Sequence, residues 1–328
     1  MKPLICWNKW MVKAKLFKVL KIMLPLLLGV FLVWYSLSKI SVPQLLEYFK
    51  NANYYWIVLG LFCGLLSHLS RAYRWKFLLE PLGYAPKLSN SIMAVFSAYL
   101  VNLTIPRAGE ITRATLLTNY ENVPFEKGFG TIVSERVADL VVMLGIVAVT
   151  LFLQFEFIYN FFLQKFNPIK IAIALFMLIL FGVLLFIYFR KSKSKFAQKV
   201  RGFVFGLVEG VLSIFKMEKK WAFIFHTLFI WAMYILMFYV TSFSISELQP
   251  IPVAAILIGF ISASFSIAAT NGGVGSYPEA VVIAFLLFNL PEDASRAFGW
   301  IMWSTQTLMI IILGGLSLIY LPIYNRKE

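Results

Sequence analysis

The chain has 328 residues, 60% of them hydrophobic and only 14% charged, with a mean hydropathy of +0.81. No soluble domain of this length has that composition, so the sequence reads as an all-α, polytopic helical membrane protein. In a soluble chain a net charge of +15 would suggest nucleic acid; here the basic residues fall between apolar runs, where the positive-inside rule accounts for them, and no nucleic-acid partner is expected. Continuous apolar runs such as 171–189 also argue against a β-barrel, whose strands alternate apolar and polar residues.

A spanning helix needs about 20 mostly apolar residues. The N-terminus carries Lys2, Lys9, Lys13, Lys15, Lys18 and Lys21 before an apolar run at 22–38. The basic stretch is long and no small-x-small cleavage site follows, so a retained first span is expected rather than a signal peptide. An amphipathic stretch (Val42, Leu45, Leu46, Phe49) suits the interface, and a second run at 54–70 opens on Tyr54-Tyr55-Trp56 and closes on Arg71, Arg74 and Lys76. The run 91–105 is short and is interrupted by a polar island, Pro106-Arg107-Ala108-Gly109-Glu110-Ile111-Thr112-Arg113. Runs at 131–154 and 168–189 follow, then a basic segment, 190–220, with an amphipathic part at 199–215. Its Gly202, Gly206 and Gly210 share one side, which suits close helix packing or a helix resting on the lipid surface. The remaining runs are 221–245, 252–269, 280–290 and 295–320. A second island, Thr270-Asn271-Gly272-Gly273-Val274-Gly275-Ser276-Tyr277-Pro278-Glu279, breaks 252–290.

Charge counting predicts the topology. With the N-terminus cytoplasmic, the second span delivers the basic residues from Arg71 to Lys87 inside, and the basic segment 190–220 must also lie inside. Only two spans separate these loops, so 91–119 must enter and leave from one side, as a re-entrant hairpin tipped by the first island. For 252–290, two spans and a hairpin from the opposite face fit the charges equally; the glycine-rich tip favours the hairpin. The expectation is one unit over 1–328 with about 6–8 spans and one or two re-entrant hairpins. Both termini would be cytoplasmic in a bacterial inner membrane, with an inverted repeat left open.

The islands carry the candidate chemistry. Arg107, Glu110 and Arg113 are spaced by three, which on a helix makes one polar stripe. The following span carries Glu135, Arg136 and Asp139. Ionised groups cost about 2.5–3.5 kcal/mol each at the centre of a spanning helix, so such groups line a site or pair with one another. An ion-pair lock between hairpin and helix is the plain alternative to a ligand site. Arginine presents a planar fork that suits phosphate. Buried away from cations, Glu110, Glu135 and Glu279 would be candidates for proton coupling. In the second island, Gly272, Gly273 and Gly275 leave backbone N–H groups at a helix N-terminus opened by Pro278, an arrangement that binds anions or simply makes a tight turn. Asn271 would cap that turn or contact substrate. No Gly-Lys-Ser/Thr follows, which excludes a nucleotide phosphate loop. Cys6 and Cys63 lack paired spacing, and His68 and His226 lack partners at ligand spacing. No disulfide, metal site, cofactor or nucleophile set is expected.

Pro106 to Glu110 with Arg113, Ser134-Glu135-Arg136-Val137-Ala138-Asp139, and Asn271 to Gly275 followed by Glu279 resemble the lysylphosphatidylglycerol synthase transmembrane (flippase-like) family, across nearly the whole chain. Arg71-Ala72-Tyr73-Arg74-Trp75 fits that family's early cytoplasmic boundary. The family's best-known members fuse this unit to a cytosolic domain that transfers lysine from tRNA to phosphatidylglycerol. The given sequence runs only a few residues past its last apolar run, so aminoacyl transfer is not expected. The resemblance implies lipid translocation or lipid binding, and relatives in polyprenyl-phosphate or glycan pathways leave the lipid open. On this reading Arg107, Arg113 and Arg136 hold phosphate, and Glu110, Glu135 and Asp139 orient them. Asn271, Gly272, Gly273, Gly275 and Glu279 contact or gate the headgroup. The partners are membrane lipids with phosphate headgroups, with a homo-oligomer or an envelope-synthesis partner left open. An intramembrane enzyme acting on a lipid-linked substrate and a non-transporting scaffold for envelope synthesis are the competing readings.

Overall fold

The structure, a computed structural model, describes residues 27–165, 168–192, 194–198, 200–202, 214, 217–270 and 272–326. Its regular elements are helical: α1 (Leu27–Lys39), α2 (Val42–Asn51), α3 (Tyr54–Leu79), α4 (Leu88–Thr104), α5 (Ala108–Glu121), α6 (Phe125–Leu153), α7 (Phe155–Lys165), α8 (Pro168–Lys191), α9 (Lys220–Ser242), α10 (Val253–Ala269), α11 (Ser276–Leu286) and α12 (Glu292–Tyr324), with short 3₁₀ turns at Glu80–Leu82 and Ser246–Leu248. Among the described residues, four segments are long and apolar enough to cross a membrane: Tyr54–Leu82, Phe125–Leu153, Lys220–Ser242 and Glu292–Tyr324. The protein is an all-α multi-pass membrane protein. The stripe at Gly202, Gly206 and Gly210 lies largely outside the described residues, and Gly202 has nothing packed against it.

Small residues bring the central helices together. Gly60 and Gly64 sit one turn apart on α3, and a Cβ at Gly60 would run into Thr241 of α9. A Cβ at Gly64 would lie 2.8 Å from Met237 Sδ. With no hydrophobic drive between helices in lipid, close backbone approach of this kind supplies the packing energy. Helix α6 packs antiparallel to α3, and α8 shows lipid-grade side chains outward, among them Ile173, Phe176, Ile179 and Phe186.

Two hairpins define the geometry. At the Tyr324 end of α12, Asn90 and Asn325 exchange 2.8 Å hydrogen bonds, and Glu121 accepts from the Lys87 N–H at 2.9 Å, which places the open end of α4–α5 here. At the Glu292 end, Gln44 donates to Asp293 (2.8 Å), Tyr48 to Glu247 (2.8 Å) and the Asn53 N–H to the Ser244 carbonyl (2.9 Å). The α10–α11 hairpin opens toward that end. Helix α12, 33 residues or roughly 50 Å long, runs past both. The hairpins approach from its two ends and their tips meet: a Cβ at Gly272 would lie 3.4 Å from Leu103 Cδ2.

One expected boundary is corrected. The second span does not close at Arg71 and Arg74; α3 continues to Leu79, which carries both arginines into the protein interior. A single Arg pair near the end of an apolar run reads as a boundary, yet buried partners can keep the helix going.

Candidate functional site

The turn at 105–107 closes the α4–α5 hairpin. Arg107 sits at φ 63°, in the left-handed region, immediately before α5. Asn102 Oδ1 accepts the Gly109 N–H at 2.7 Å and satisfies one orphan donor of the first turn of α5. A Cβ at Gly109 would collide with the Ala98 carbonyl, so α5 lies hard against α4.

That placement points Arg113 at α6, two turns from the end of α5, where a five-member charge lattice is buried. Glu135 accepts from Arg113 Nη2 on Oε2 (3.0 Å) and from Arg71 Nη1 on Oε1 (2.9 Å), with Arg74 Nη2 3.2 Å from Oε1. Asp139 accepts from Arg71 (2.6 Å) and from Arg74 Nη1 (3.0 Å). Arg74 also donates to Thr227 Oγ1 of α9 at 2.7 Å. Arg113 stacks 3.7 Å above the Trp75 ring, whose Nε1 donates to Thr131. The lattice therefore ties α3, α5, α6 and α9 together. Three arginines face two carboxylates, leaving one positive charge uncompensated within it.

Arg136, next on α6, points elsewhere. Its Nη2 donates to Glu110 Oε1 at 2.9 Å, and their side chains are 44% and 24% exposed. On the same helix Val133, Leu140 and Leu144 are exposed. Between this pair and the lattice lies a crevice of about 10 Å³ lined by Tyr99, Asn102, Gly109, Glu110, Arg113 and Arg136, the space of about one water. Glu110 Oε2 and Arg113 Nε, from two of these lining residues, are buried with no hydrogen-bond partner.

The second island does different work. Gly272, Gly273 and Gly275 all have positive φ (68°, 75° and 68°). A Cβ at Gly275 would lie 2.5 Å from the Val33 N and 2.6 Å from the Leu32 carbonyl carbon, so this tip is pressed against α1. Trp303 Nε1 donates to the Gly272 carbonyl at 2.9 Å. Glu279 accepts from Arg296 Nε at 3.0 Å, and Arg296 also pairs with Glu292 at 2.9 Å.

Several expectations are corrected here. Arg107 is exposed at the turn and is not part of a stripe with Glu110 and Arg113, because it precedes the helix; among the described residues no ion pair holds it. Glu110 and Arg113 diverge to separate partners. Glu135 holds Arg113 and Glu110 holds Arg136, as expected, but Glu135 and Asp139 also pair with Arg71 and Arg74, and no carboxylate among the described residues pairs with Arg107. Glu279 belongs to an ion pair at the Glu292 end, remote from the lattice, and Glu110, Glu135 and Glu279 each have an arginine partner, which removes the premise for free carboxylates. Of the glycine tip, Gly275 packs on α1 and Gly272 faces Leu103 of the other hairpin, and Asn271 lies outside the described residues. Arg71 and Arg74 were missed as site residues. Their i, i+3 spacing, which puts both on one helix face, was the available signal.

At the Tyr324 end, the hydrogen bond to Glu80 raises the Lys219 ammonium above its ordinary range.

A bundle with five ionised side chains buried about two turns inside apolar helices is a multi-pass membrane protein with a polar interior site. Residues 22–314 match the lysylphosphatidylglycerol synthase TM region, and the chain belongs to that family. It is 23% identical to the UPF0104 membrane protein of Methanocaldococcus jannaschii, over 92% of this chain and 95% of that protein. It is also 27% identical over 146 residues to Glycosyltransferase AglD of Haloferax volcanii, a stretch that covers 44% of this chain and 23% of that one.

Proposed function

We propose that this protein binds a membrane lipid by a phosphate-bearing headgroup and passes it between leaflets, with the crevice between α4, α5 and α6 as the headgroup site. The observation that carries this reading is Arg136. An arginine 44% exposed on a helix face otherwise offering Val133, Leu140 and Leu144 is costly beside lipid; Glu110 meets it through a single Nη2–Oε1 contact, and an anionic headgroup on the exposed side would lower the remaining cost. Arg113 forms the floor of the crevice, and the buried lattice holds it there. The crevice is closed around one water's space, so headgroup passage requires α5 to move against α6.

The tips of α4–α5 and α10–α11 meet inside the bundle, and their open ends lie at its two faces. This supports re-entrant hairpins approaching from opposite leaflets. Lys76, Lys87, Lys127, Lys219, Lys220 and Arg326 gather at the Tyr324 end, which supports a cytoplasmic assignment for it. The test is transport in reconstituted vesicles. Arg136→Gln should cut the rate of fluorescent phospholipid translocation at least tenfold while the protein keeps its unfolding temperature. Undiminished transport would refute the reading. The likeness to part of a glycosyltransferase favours one competing reading, a membrane unit serving lipid-linked glycan synthesis without transport; wild-type protein that moves no lipid would turn attention to it.

A further inference from the structure

The charge of the headgroup can be argued from the same residues, resting on the headgroup reading above. A phosphate within bonding distance of both Arg113 and Arg136 must occupy the crevice they line, and that crevice has space for about one water. Glu110 lines it too. Its Oε1 occupies Arg136 and its Oε2 is buried without a partner. Arg113, 3% exposed, likewise has an unpartnered Nε. A phosphate therefore enters only where the Glu110 carboxylate now lies.

We propose that Glu110 is a built-in stand-in for the ligand and that the site is matched to a lipid ending in a dianionic phosphate monoester rather than a singly charged phosphodiester. With Glu110 swung out, Arg71, Arg74, Arg113 and Arg136 face Glu135 and Asp139, four positive charges against two negative. The uncompensated charge is +2. A phosphodiester leaves half of it bare, whereas a monoester, close to −2 above its second ionisation near pH 6, balances it. Glu110 sits in the first turn of α5, where a carboxylate is favoured, so its displacement from Arg136 leaves it with a local electrostatic role.

The test uses the purified full chain in detergent at pH 8. It is offered equal amounts of dioleoyl phosphatidic acid and dioleoyl phosphatidylglycerol, which share tails and differ in headgroup charge, and adducts are counted by native mass spectrometry. The expected result is a preference of about tenfold for the monoester, the size of one charge at a partly exposed site. Glu110→Gln should raise monoester binding several-fold by removing the competitor, and Arg136→Gln should abolish it. Inorganic phosphate in large excess should fail to displace the lipid; if it displaces the lipid, the ligand is the free anion and the lipid assignment is overturned. Equal adducts of both lipids, each lost in Arg136→Gln, would overturn the charge match while leaving the headgroup reading intact. Lower monoester binding in Glu110→Gln would overturn the displacement. Adducts indifferent to Arg136→Gln would overturn both readings together.

Discussion

The two broken hairpins carry polar islands of similar appearance and put them to opposite uses. In α4–α5 the ionised residues cross to other helices: Arg113 reaches Glu135, and Glu110 reaches Arg136. In α10–α11 the glycines, rather than the charges, make the close contacts, with Gly275 against the α1 backbone and the Gly272 carbonyl held by Trp303. Its single carboxylate, Glu279, joins Arg296 at the Glu292 end, where Glu292 and Asp293 share the same guanidinium. The difference shows that helix breakers beside charges in an apolar chain mark a place where the backbone must turn within the bundle. Whether the charges there form a ligand site depends on what the neighbouring helices bring to them.

The sharpest way to break this contrast is to remove one carboxylate from each region. Glu135→Gln leaves three buried arginines facing Asp139 alone and should cost about 3–5 kcal/mol, the usual penalty for orphaning a buried charge. Loss of a monodisperse peak on size-exclusion chromatography in detergent would register it. Glu279→Gln should cost less, about 1–3 kcal/mol, because the buried Arg296 loses one partner but keeps Glu292, whose side chain is 50% exposed. Equal damage from the two would mean that the two ion pairs are equally buried in energetic terms. Next in size, Gly109→Ala drives a methyl into the Ala98 backbone carbonyl and should cost about 1–3 kcal/mol in thermal unfolding. Trp303→Phe removes one hydrogen bond to the second tip and should cost about 0.5–1.5 kcal/mol. Smallest of all, Arg107→Gln should shift stability by less than about 0.5 kcal/mol, since the side chain is exposed and unpaired among the described residues.

Much of the architecture was legible before any coordinates. Continuous apolar runs announced helices, and Pro106 and the cluster Gly272, Gly273, Gly275 announced their breaks. The candidate site was legible only in part. Glu135, Asp139 and Arg113 were singled out because charge in an apolar run is costly. Arg71 and Arg74 share that property but lie near the end of their run, where a cation ordinarily reaches the lipid headgroups.

By itself, then, the sequence determined which segments are helical, where two of them break, and which residues are too costly to leave facing hydrocarbon, because these depend on local composition and on the price of desolvation. Only the tertiary structure decided the partners. Arg71 meets Asp139 and Arg74 meets Thr227 across long stretches of chain. Arg136 turns away from its neighbour Glu135 because successive residues on a helix point in different directions and the surrounding helices choose which of them is buried.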